Sequence, residues 1–506
     1  MQTDEWDGKL CRMNKIGFDN EKYVSMQSEN IRKRIEQFGD KLYLEFGGKL
    51  FDDYHASRVL PGFLPDSKIN MLAQLKDDAE ILIAIHAGDI ETSKVRGDLD
   101  ISYESEVLRL IDGFRSKGLY VSGVVITRYQ GQQSADAFSK RLSTLSIPVY
   151  FHYPIPNYPA NIPLIVSDDG FGRNDYIRTT RKLVVVTAPG PGSGKLAVCL
   201  SQLYHDYRHG IRAGYAKFET FPIWNLPLQH PVNLAYEAAT TDLDDVNMID
   251  PFHLEAYGKT TVNYNRDVES FPVLNEIFVR LLGYSPYRSP TDMGVNMVGF
   301  CISDDAVVCE AAREEIIRRY YRALLDRKRG TLDENQMIKA EMIMKKSGAD
   351  IEQRPVIGAA NRKAEETGEP AMAIELEDGT IAVGKTGPMM GAAAGAIMNA
   401  LKTLAGISMD LDLISPIVME PIQELKTKNF GSINPRLHAD EVLLALAICA
   451  ATNPIAELAM KQIPRLKNCE AHSSVILSHV DMDTYRKLGI NCTCEPVYQS
   501  NRLYHK

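Results

Sequence analysis

Short apolar runs rich in β-branched residues alternate with helical patterns along the first three hundred residues. Residues 104–118 and 134–145 carry apolar side chains at positions i, i+3, i+4 and i+7, the spacing of an amphipathic helix. The intervening runs have few polar interruptions, which is typical of strands buried on both faces. The alternation predicts an α/β fold with a mostly parallel, doubly wound sheet. We expect strands at residues 41–46, 80–86, 120–129, 149–155, 162–167 and 182–188.

The rest of the chain predicts two further parts. Residues 301–368 have the pattern of a helical segment, and residues 369–506 that of a smaller α/β C-terminal domain, beside the N-terminal domain at 13–300. An Asp-Gly pair marks a hairpin turn in the last part. We expect its hairpin, helix, strand, helix and strand at residues 370–385, 392–406, 411–415, 439–460 and 473–478.

Length, charge and composition narrow the class of protein. The chain has 506 residues, 44% of them apolar, so two to four domains are expected. A net charge of -9 argues against a nucleic-acid partner, and no apolar window is long enough for a membrane span. The start lacks a signal-peptide pattern, and the eight cysteines are scattered without a disulfide or zinc spacing. We therefore expect a cytoplasmic protein with no membrane partner.

Polar side chains follow several of the predicted strands. Ligands of parallel sheets bind beyond the carboxyl ends of the strands, so these positions indicate a shared cleft. They include His86 after the second strand, Arg128 and Tyr129 after the third, and Asp168, Asp169 and Arg173 after the fifth.

The sixth strand leads into "APGPGSGKLA", which resembles a phosphate-binding loop. A standard loop reads Gly-x-x-x-x-Gly-Lys-Ser/Thr, but here its first glycine position is Pro189 and its hydroxyl position is Leu196. The remaining residues still predict an anion-binding turn at a helix start, with the lysine as counter-charge. The turn consists of Gly190, Gly192, Ser193, Gly194 and Lys195.

Without a hydroxyl after the lysine, any magnesium that accompanies a nucleotide must be held elsewhere. Asp168 or Asp169, at the end of the neighbouring apolar run, is expected to hold it or to orient a nucleophile. The irregular region 214–296 offers residues for a second substrate, with Glu or Asp as base and Lys or Arg as anion ligand. These are Lys217, Glu219, Arg266 and Asp267, for each of which a surface ion pair is the alternative.

Other candidate ligands fit ordinary structural roles better than a metal. The acidic residues between 240 and 253 have the pattern of a turn that ends in a helix N-cap, although their carboxylates are also possible Mg²⁺ ligands. His205 and His209 are spaced i, i+4, but polar neighbours indicate a solvated helix face. No protein metal centre is predicted.

The segments "YLEFGGKL", "HAGDIE", "KFETFPIWN", "NMIDPFH", "VNYNRD" and "LALAICAATNPIAELAM", together with the glycine-rich turn, resemble a widespread bacterial family of about 500 residues. The family is catalogued as uncharacterised, and some members carry the label of ATP-dependent peptidase. The chain has no HExxH, GxSxG or comparable pairing, so peptidase activity is not expected. The C-terminal domain is also similar in element order to cytidine deaminases, but without the H/C-x-E and PCxxC zinc motifs.

Two functions remain open. The first is an enzyme that binds a nucleotide or another phosphorylated small molecule at Gly190–Lys195 and transfers a phosphoryl or other group. The second is a non-catalytic ligand sensor or assembly scaffold. In either case we expect a homo-oligomer.

Overall fold

A computed structural model describes residues 15–39, 41–97 and 99–499, apart from the Asp242 side chain. The chain divides into two compact units. The first comprises Ile16–Glu237 and Leu243–Cys309, and the second comprises Ala238–Asp242 and the chain from Glu310 onward. The ends of the predicted 13–300 and 369–506 domains, at residues 13–14 and 500–506, lie outside the described residues.

A seven-stranded sheet forms the centre of the first unit, and all of its strand pairs are parallel. The order across the sheet is β7-β6-β1-β5-β2-β3-β4. Strands β2, β3 and β4 therefore lie progressively farther from β1 on one side of it. The chain then returns to place β5 between β1 and β2, and β6 and β7 lie on the other side of β1. The strands are β1 Lys41–Phe46, β2 Ala79–His86, β3 Tyr120–Thr127, β4 Val149–Phe151, β5 Leu183–Thr187, β6 Ala213–Phe218 and β7 Gly294–Val295.

The expected α/β class and parallel sheet are confirmed, with local corrections. The expected strands at 120–129 and 149–155 end at Thr127 and Phe151, and the region 214–296, expected to be irregular, contains the helices Pro231–Ala239, Pro251–Tyr257 and Asn265–Leu282. Residues 162–167, expected to be a strand, contain the short helix Ile162–Ile165, with Asn161 as its N-cap and a proline in its first turn. Strand β6 was not expected, because "AGYAKF" combines small residues with a lysine and has weak β propensity. Its pairing with all six residues of β1 supplies the stabilisation that its sequence lacks.

Helices cover the sheet, and their capping follows ordinary side-chain chemistry. Asp19, Asp53, Ser102 and Asp250 each accept a hydrogen bond from a backbone N–H in the first turn of the following helix. Two small antiparallel hairpins, Val95–Arg96 with Ile101–Ser102 and Asn247–Ile249 with Val262–Tyr264, complete this part. Its helices are Asn20–Phe38, Tyr54–Val59, Ser67–Ala73, Ala87–Glu91, Tyr103–Ser116, Gln133–Thr144, Ile162–Ile165, Lys195–Arg208, Pro231–Ala239, Pro251–Tyr257, Asn265–Leu282 and Pro290–Met293.

The strands of this sheet are buried, and their burial stabilises the sheet. Every residue of β5 is buried, and Val184 and Val186 pack in one core with Val198 and Leu203 of the following helix. Burial of side chains on this scale is the main favourable term in folding. Many polar residues accordingly follow the ends of the strands.

The second unit contains a four-stranded mixed sheet of order β9-β8-β10-β11. Its strands are β8 Ala371–Glu375, β9 Ile381–Lys385, β10 Glu470–Ser473 and β11 Asn491–Cys494. The expected hairpin and small-residue helix are present, but residues 411–415 form no strand. Of the strand expected at 473–478, only Ser473 belongs to a strand, as the last residue of β10. No helix of the described chain is both long enough and apolar enough to span a bilayer.

Helices make up the rest of this part. Asp305–Arg329, Glu334–Ser347 and Pro355–Thr367 account for the expected helical segment. The expected helix at 439–460 is two helices, because the chain turns at Thr452 before Asn453 caps a second one. The remaining helices are Ala392–Ala405, Pro416–Glu424, the π-helical turn Leu425–Asn429, Ala439–Ala450, Pro454–Met460 and His479–Lys487.

Candidate functional site

The glycine-rich turn follows β5 and ends where the helix Lys195–Arg208 begins. Gly192 and Gly194 have φ of +76° and +86°, a region that side chains disfavour. A Cβ at Gly190 would lie 2.1 Å from the Tyr103 hydroxyl oxygen, so no side chain fits there. Backbone groups are therefore the surface that this turn presents, as an anion-binding turn requires.

Side-chain hydrogen bonds hold the turn in place. Buried Ser193 donates from Oγ to the Gly190 carbonyl oxygen (3.0 Å), and Thr127 Oγ1 donates to the Ser193 carbonyl oxygen (2.8 Å). The Ser193 hydroxyl thus supports the loop internally. Leu196, at the position of a magnesium-binding hydroxyl in a standard loop, packs against the apolar core. The turn keeps the strand–turn–helix geometry of a phosphate loop without its usual magnesium ligand.

Lys195 is a cation without a close counter-charge. Within the described chain it makes no salt bridge, although it lies in the first turn of a helix whose N-terminal N–H groups also favour an anion. Burial lowers the pKa of Lys195 below its ordinary value; Glu45 opposes the fall, and Lys217 and Arg266 add to it. An anionic ligand would relieve this electrostatic cost.

A carboxylate–lysine cluster, made of Glu45, Lys217, Glu219 and Asp267, lies at the ends of β1 and β6. Glu45 and Lys217 are direct partners in the parallel register of these strands. Lys217 Nζ lies 2.6 Å from a Glu219 carboxylate oxygen and also forms an ion pair with Asp267. Tyr215 donates from its hydroxyl to Glu45 (2.7 Å). The fold thus brings Lys217, Glu219 and Asp267 into contact with one another.

The cluster perturbs its own protonation equilibria. Burial raises the pKa of Glu219 to about 8; Lys217 opposes this rise and Asp267 adds to it. Burial alone would lower the pKa of Lys217, but Asp267, Glu219 and Glu45 overcome it and hold that pKa above its ordinary value. A carboxyl group that exchanges its proton near neutral pH, beside a persistent cation, is suited to general acid–base chemistry.

Arg266 lies at the border of this cluster and is already paired. Its guanidinium makes two contacts with the carboxylate of buried Asp245, at 2.6 and 2.8 Å. Burial raises the pKa of Asp245, and Arg266 opposes the rise. Arg266 therefore supports the acidic turn before the hairpin, and only its exposed face remains for a ligand.

Asp168 and Asp169 lie elsewhere. Asp168 accepts a hydrogen bond from the Tyr204 hydroxyl (2.6 Å) and contacts Arg208 (3.5 Å), and both partners lie in the second half of the helix that Lys195 begins. At 1.5 Å per residue, Arg208 is about 20 Å along the helix from Lys195. Because residues 162–165 are helical, the structure does not bring either aspartate to the glycine-rich turn.

An aromatic cleft lies at the same edge of the sheet, beyond β3 and β4. It has a volume of about 400 Å³. Tyr129 and Tyr153 line it and contact each other edge-on, with ring centroids 6.2 Å apart and ring planes inclined at 60°, and the Arg173 guanidinium lies 5.7 Å from the Tyr153 ring centroid. The lining residues are Tyr129, Gln130, Tyr153, Pro154, Ile155, Pro156 and Arg173.

One cluster in the described chain has the composition of a metal site. His230 Nε2 lies 3.0 Å from Asp305 Oδ1 and 3.5 Å from Cys309 Sγ. However, the Val232 backbone N–H donates to His230 Nδ1, which leaves the ring proton on Nε2, directed at Asp305. That tautomer cannot bind a metal through Nε2, so a His–Asp hydrogen bond accounts for the geometry.

Sequence reasoning missed two residues of the site. Glu45 lies within the predicted strand 41–46, and a carboxylate near the end of an otherwise apolar strand was the available signal. Tyr103 had no comparable signal, because only the fold places its hydroxyl against Gly190, 87 positions later in the chain. The acidic turn at 240–253 ends in an N-cap, since Asp250 accepts from the His253 N–H.

Comparison with known proteins covers nearly the whole chain. A family described as "Domain of unknown function DUF1846, N-terminal" matches residues 16–348, and its C-terminal counterpart matches residues 352–504. The UPF0371 protein stu1377 of Streptococcus thermophilus is 58% identical over 494 residues, 98% of this chain and 100% of its own length. The UPF0371 protein M28_Spy1076 of Streptococcus pyogenes serotype M28 has the same identity and coverage.

Proposed function

Since the chain belongs to the DUF1846 (UPF0371) family, whose name states no activity, we propose a function from the site itself. The protein is an enzyme that binds a phosphorylated small molecule at the Gly190–Lys195 turn and transfers a phosphoryl or related group. The observation that carries this proposal is the position of Lys195, an unpaired cation at a helix start, beside the carboxylate–lysine cluster.

Each residue of the site has a role that follows from its charge or its pKa. The turn backbone and Lys195 hold the phosphate, because both offer positive charge at one point. Lys217 supplies a second cation for charge that develops during transfer. Glu219 exchanges a proton with the second substrate, a role that its pKa of about 8 favours. Asp267 and Glu45 keep Lys217 charged and in place.

Magnesium, where a nucleotide requires it, is bound by the phosphates of the ligand. Asp168 contacts the other end of the helix, and the carboxylates of Glu219 and Asp267 are already engaged with Lys217. A cation would therefore enter with the phosphates of a nucleotide rather than on a dedicated protein site.

Calorimetric titration of the full chain with pyrophosphate tests the anion site, with and without Mg²⁺. We expect saturable binding to the wild-type protein and at least a tenfold loss in Lys195→Ala. Lys140→Ala, which removes an exposed lysine elsewhere in the same unit, serves as the matched control and should bind like the wild type. Equal affinity in all three proteins, or no binding in any, contradicts the proposal.

A second candidate function, an oligomeric scaffold, is favoured by one observation in the second unit. Its helices expose large apolar side chains that a lone soluble surface rarely presents together. Leu444 and Ile448 lie one turn apart on the helix Ala439–Ala450 and are 67% and 61% exposed. We propose that a second copy of the chain covers them, since symmetric pairs of identical chains are the commonest assemblies of this kind. Ile417, Phe430, Ile455 and Leu458 of the same unit are also exposed.

The relationship of this unit to cytidine deaminases also remains a proposal. Its support is the antiparallel hairpin β8–β9 beside β10, followed by a parallel pair β10–β11. The helix Ala392–Ala405 that follows the hairpin begins with alanines and a glycine, so no zinc ligand is available where the deaminases carry theirs. Assembly is the role that this unit is suited to.

A further inference from the structure

The aromatic cleft and the glycine-rich turn belong to one edge of one sheet. The turn follows β5, and the cleft follows β3 and β4, which are two and three strands away in the sheet order. Neighbouring strands lie about 4.8 Å apart, so the two features are separated by about 10–14 Å along the edge. The base, ribose and phosphate groups of a nucleotide span a distance of this order.

Thr127 links the two features physically. It is the last residue of β3, its hydroxyl donates to the Ser193 carbonyl, and the position of a Cβ on Gly194 lies within 3.1–3.2 Å of it. Two residues later the chain reaches Tyr129, whose backbone N–H donates to the His152 carbonyl (3.0 Å). The wall of the cleft is therefore attached to the same strand that supports the turn.

Cations without counter-charges lie along this path. Arg128 and Arg173 are exposed, and neither makes a salt bridge within the described chain. Arg128 has a φ of +52°, which is strained for a residue other than glycine, and such strain concentrates at functional sites. With Lys195 they give this edge of the sheet positive charge, which favours an anionic ligand, and Arg173 itself lies in the lining of the cleft.

The walls of the cleft suit a flat, partly polar ring. Tyr129 is fixed by its hydroxyl, which donates to Asp136 (2.5 Å), and by contact with Phe151 at a centroid distance of 4.4 Å. The Tyr153 backbone N–H donates to the Asn174 side chain (2.8 Å), and the Arg173 guanidinium lies 5.7 Å from the centroid of the Tyr153 ring. Rings held in this way offer stacking area at little entropic cost, and the Gln130 amide offers polar contacts.

From these observations we infer that the phosphorylated ligand is a nucleotide, with its base in the cleft that Tyr129 and Tyr153 line and its phosphates on Arg128 and the Gly190–Lys195 turn. This inference rests on the proposed phosphate site and adds the chemical class of the ligand. A phosphorylated sugar or inorganic phosphate would leave the cleft empty and would gain nothing from its aromatic walls. Stacking of a base on an aromatic side chain typically contributes about 1–3 kcal/mol.

Calorimetry on the full chain separates the two claims by comparing four probes: ATP, GTP, ribose 5-phosphate and pyrophosphate. The variants are Tyr153→Ala, Arg173→Ala and Lys195→Ala, with Tyr153→Phe as the matched control because it keeps the ring. We expect a nucleotide to bind wild type at least tenfold tighter than ribose 5-phosphate does. Tyr153→Ala and Arg173→Ala should lose most of that advantage while pyrophosphate affinity stays unchanged, and Tyr153→Phe should keep it.

Each other outcome overturns a definite claim. If pyrophosphate binds through Lys195 but no nucleotide binds tighter than ribose 5-phosphate, the nucleotide inference is wrong and the phosphate site stands. Equal nucleotide affinity in Tyr153→Ala, Arg173→Ala and wild type also refutes the position of the base. If no probe binds wild type, both the inference and the proposed function fail. Because Arg173 is exposed, Arg173→Ala gives a result even where Tyr153→Ala does not fold.

Discussion

The Thr127 hydroxyl donates a hydrogen bond to the carbonyl oxygen of Ser193, 66 residues later, and so joins β3 to the glycine-rich turn. Both residues are buried, and Ser193 in turn bonds the Gly190 carbonyl. The conformation of the turn therefore depends on a strand that is two positions away in the sheet. This one contact connects the proposed phosphate site to the strand that carries the aromatic cleft.

Replacing Thr127 with valine removes that hydrogen bond while it keeps the shape of the side chain. The Ser193 carbonyl is then left buried without its partner, which costs about 1–3 kcal/mol of unfolding free energy. Urea unfolding should show this loss, and pyrophosphate affinity should fall with it. Thr127→Ser, which keeps the hydroxyl, is the control. A valine variant as stable and as active in binding as the wild type would show that the contact has no such role.

Lys195→Ala should weaken pyrophosphate binding without lowering stability. The lysine has no ion-pair partner in the described chain to lose, and burial already lowers its pKa, so removal of the charge relieves a cost in the unliganded protein. We expect the unfolding free energy to stay equal or to rise. A clear destabilisation together with unchanged binding would instead identify Lys195 as a structural residue.

Glu219→Gln should change how stability depends on pH. The folded-state pKa of Glu219, about 8, lies above its ordinary 4.5, so the folded protein holds a proton that the unfolded chain has released in this window. Its stabilising contribution is complete below pH 4.5 and is lost as the pH rises through about 8. The neutral glutamine has no such loss. The variant should therefore gain stability relative to wild type between pH 5 and pH 9, as measured by urea unfolding.

The comparison of the two proteins at each pH cancels the titration of every group that they share. Asp136→Asn, at a carboxylate hydrogen-bonded to Tyr129 and remote in the sheet order from β6, serves as a control for amide substitution. If the difference in unfolding free energy between wild type and Glu219→Gln is constant from pH 5 to pH 9, Glu219 does not titrate in this range and loses its proposed role in proton transfer.

Leu444→Glu should shift the protein to a smaller assembly. A glutamate at the centre of an apolar contact between two copies buries a charge without a partner, which such an interface does not tolerate. Light scattering coupled to gel filtration should show the wild type as a dimer or larger and the variant as a monomer. Leu145→Glu, at an exposed leucine of the first unit, is the matched control. Identical masses for all three proteins contradict the proposed interface.

The N-terminal sheet was largely predictable because its strands are buried on both faces. Residues 41–46 are β1 without a change of boundary, the run at 80–86 differs from β2 by one residue at its start, and the run at 182–188 differs from β5 by one residue at each end. Apolar runs of this length have few alternatives in a water-soluble fold. The strand predicted at 162–167 is wrong because a short apolar run is also compatible with a helical turn. The Asn161 cap and the proline in the first turn favour the helix.

The sequence by itself determined the local chemistry: a glycine-rich turn after a buried strand, a lysine at a helix start, and acidic and basic residues between positions 214 and 296. Only the tertiary structure decided which of these meet. Strand β6, invisible in the pattern, pairs with β1 and thereby places Lys217 beside Glu45, while the helical turn at 162–165 carries Asp168 away. The physical reason is that strand order arises from packing between residues distant in the chain, and periodicity along the chain contains no information about it.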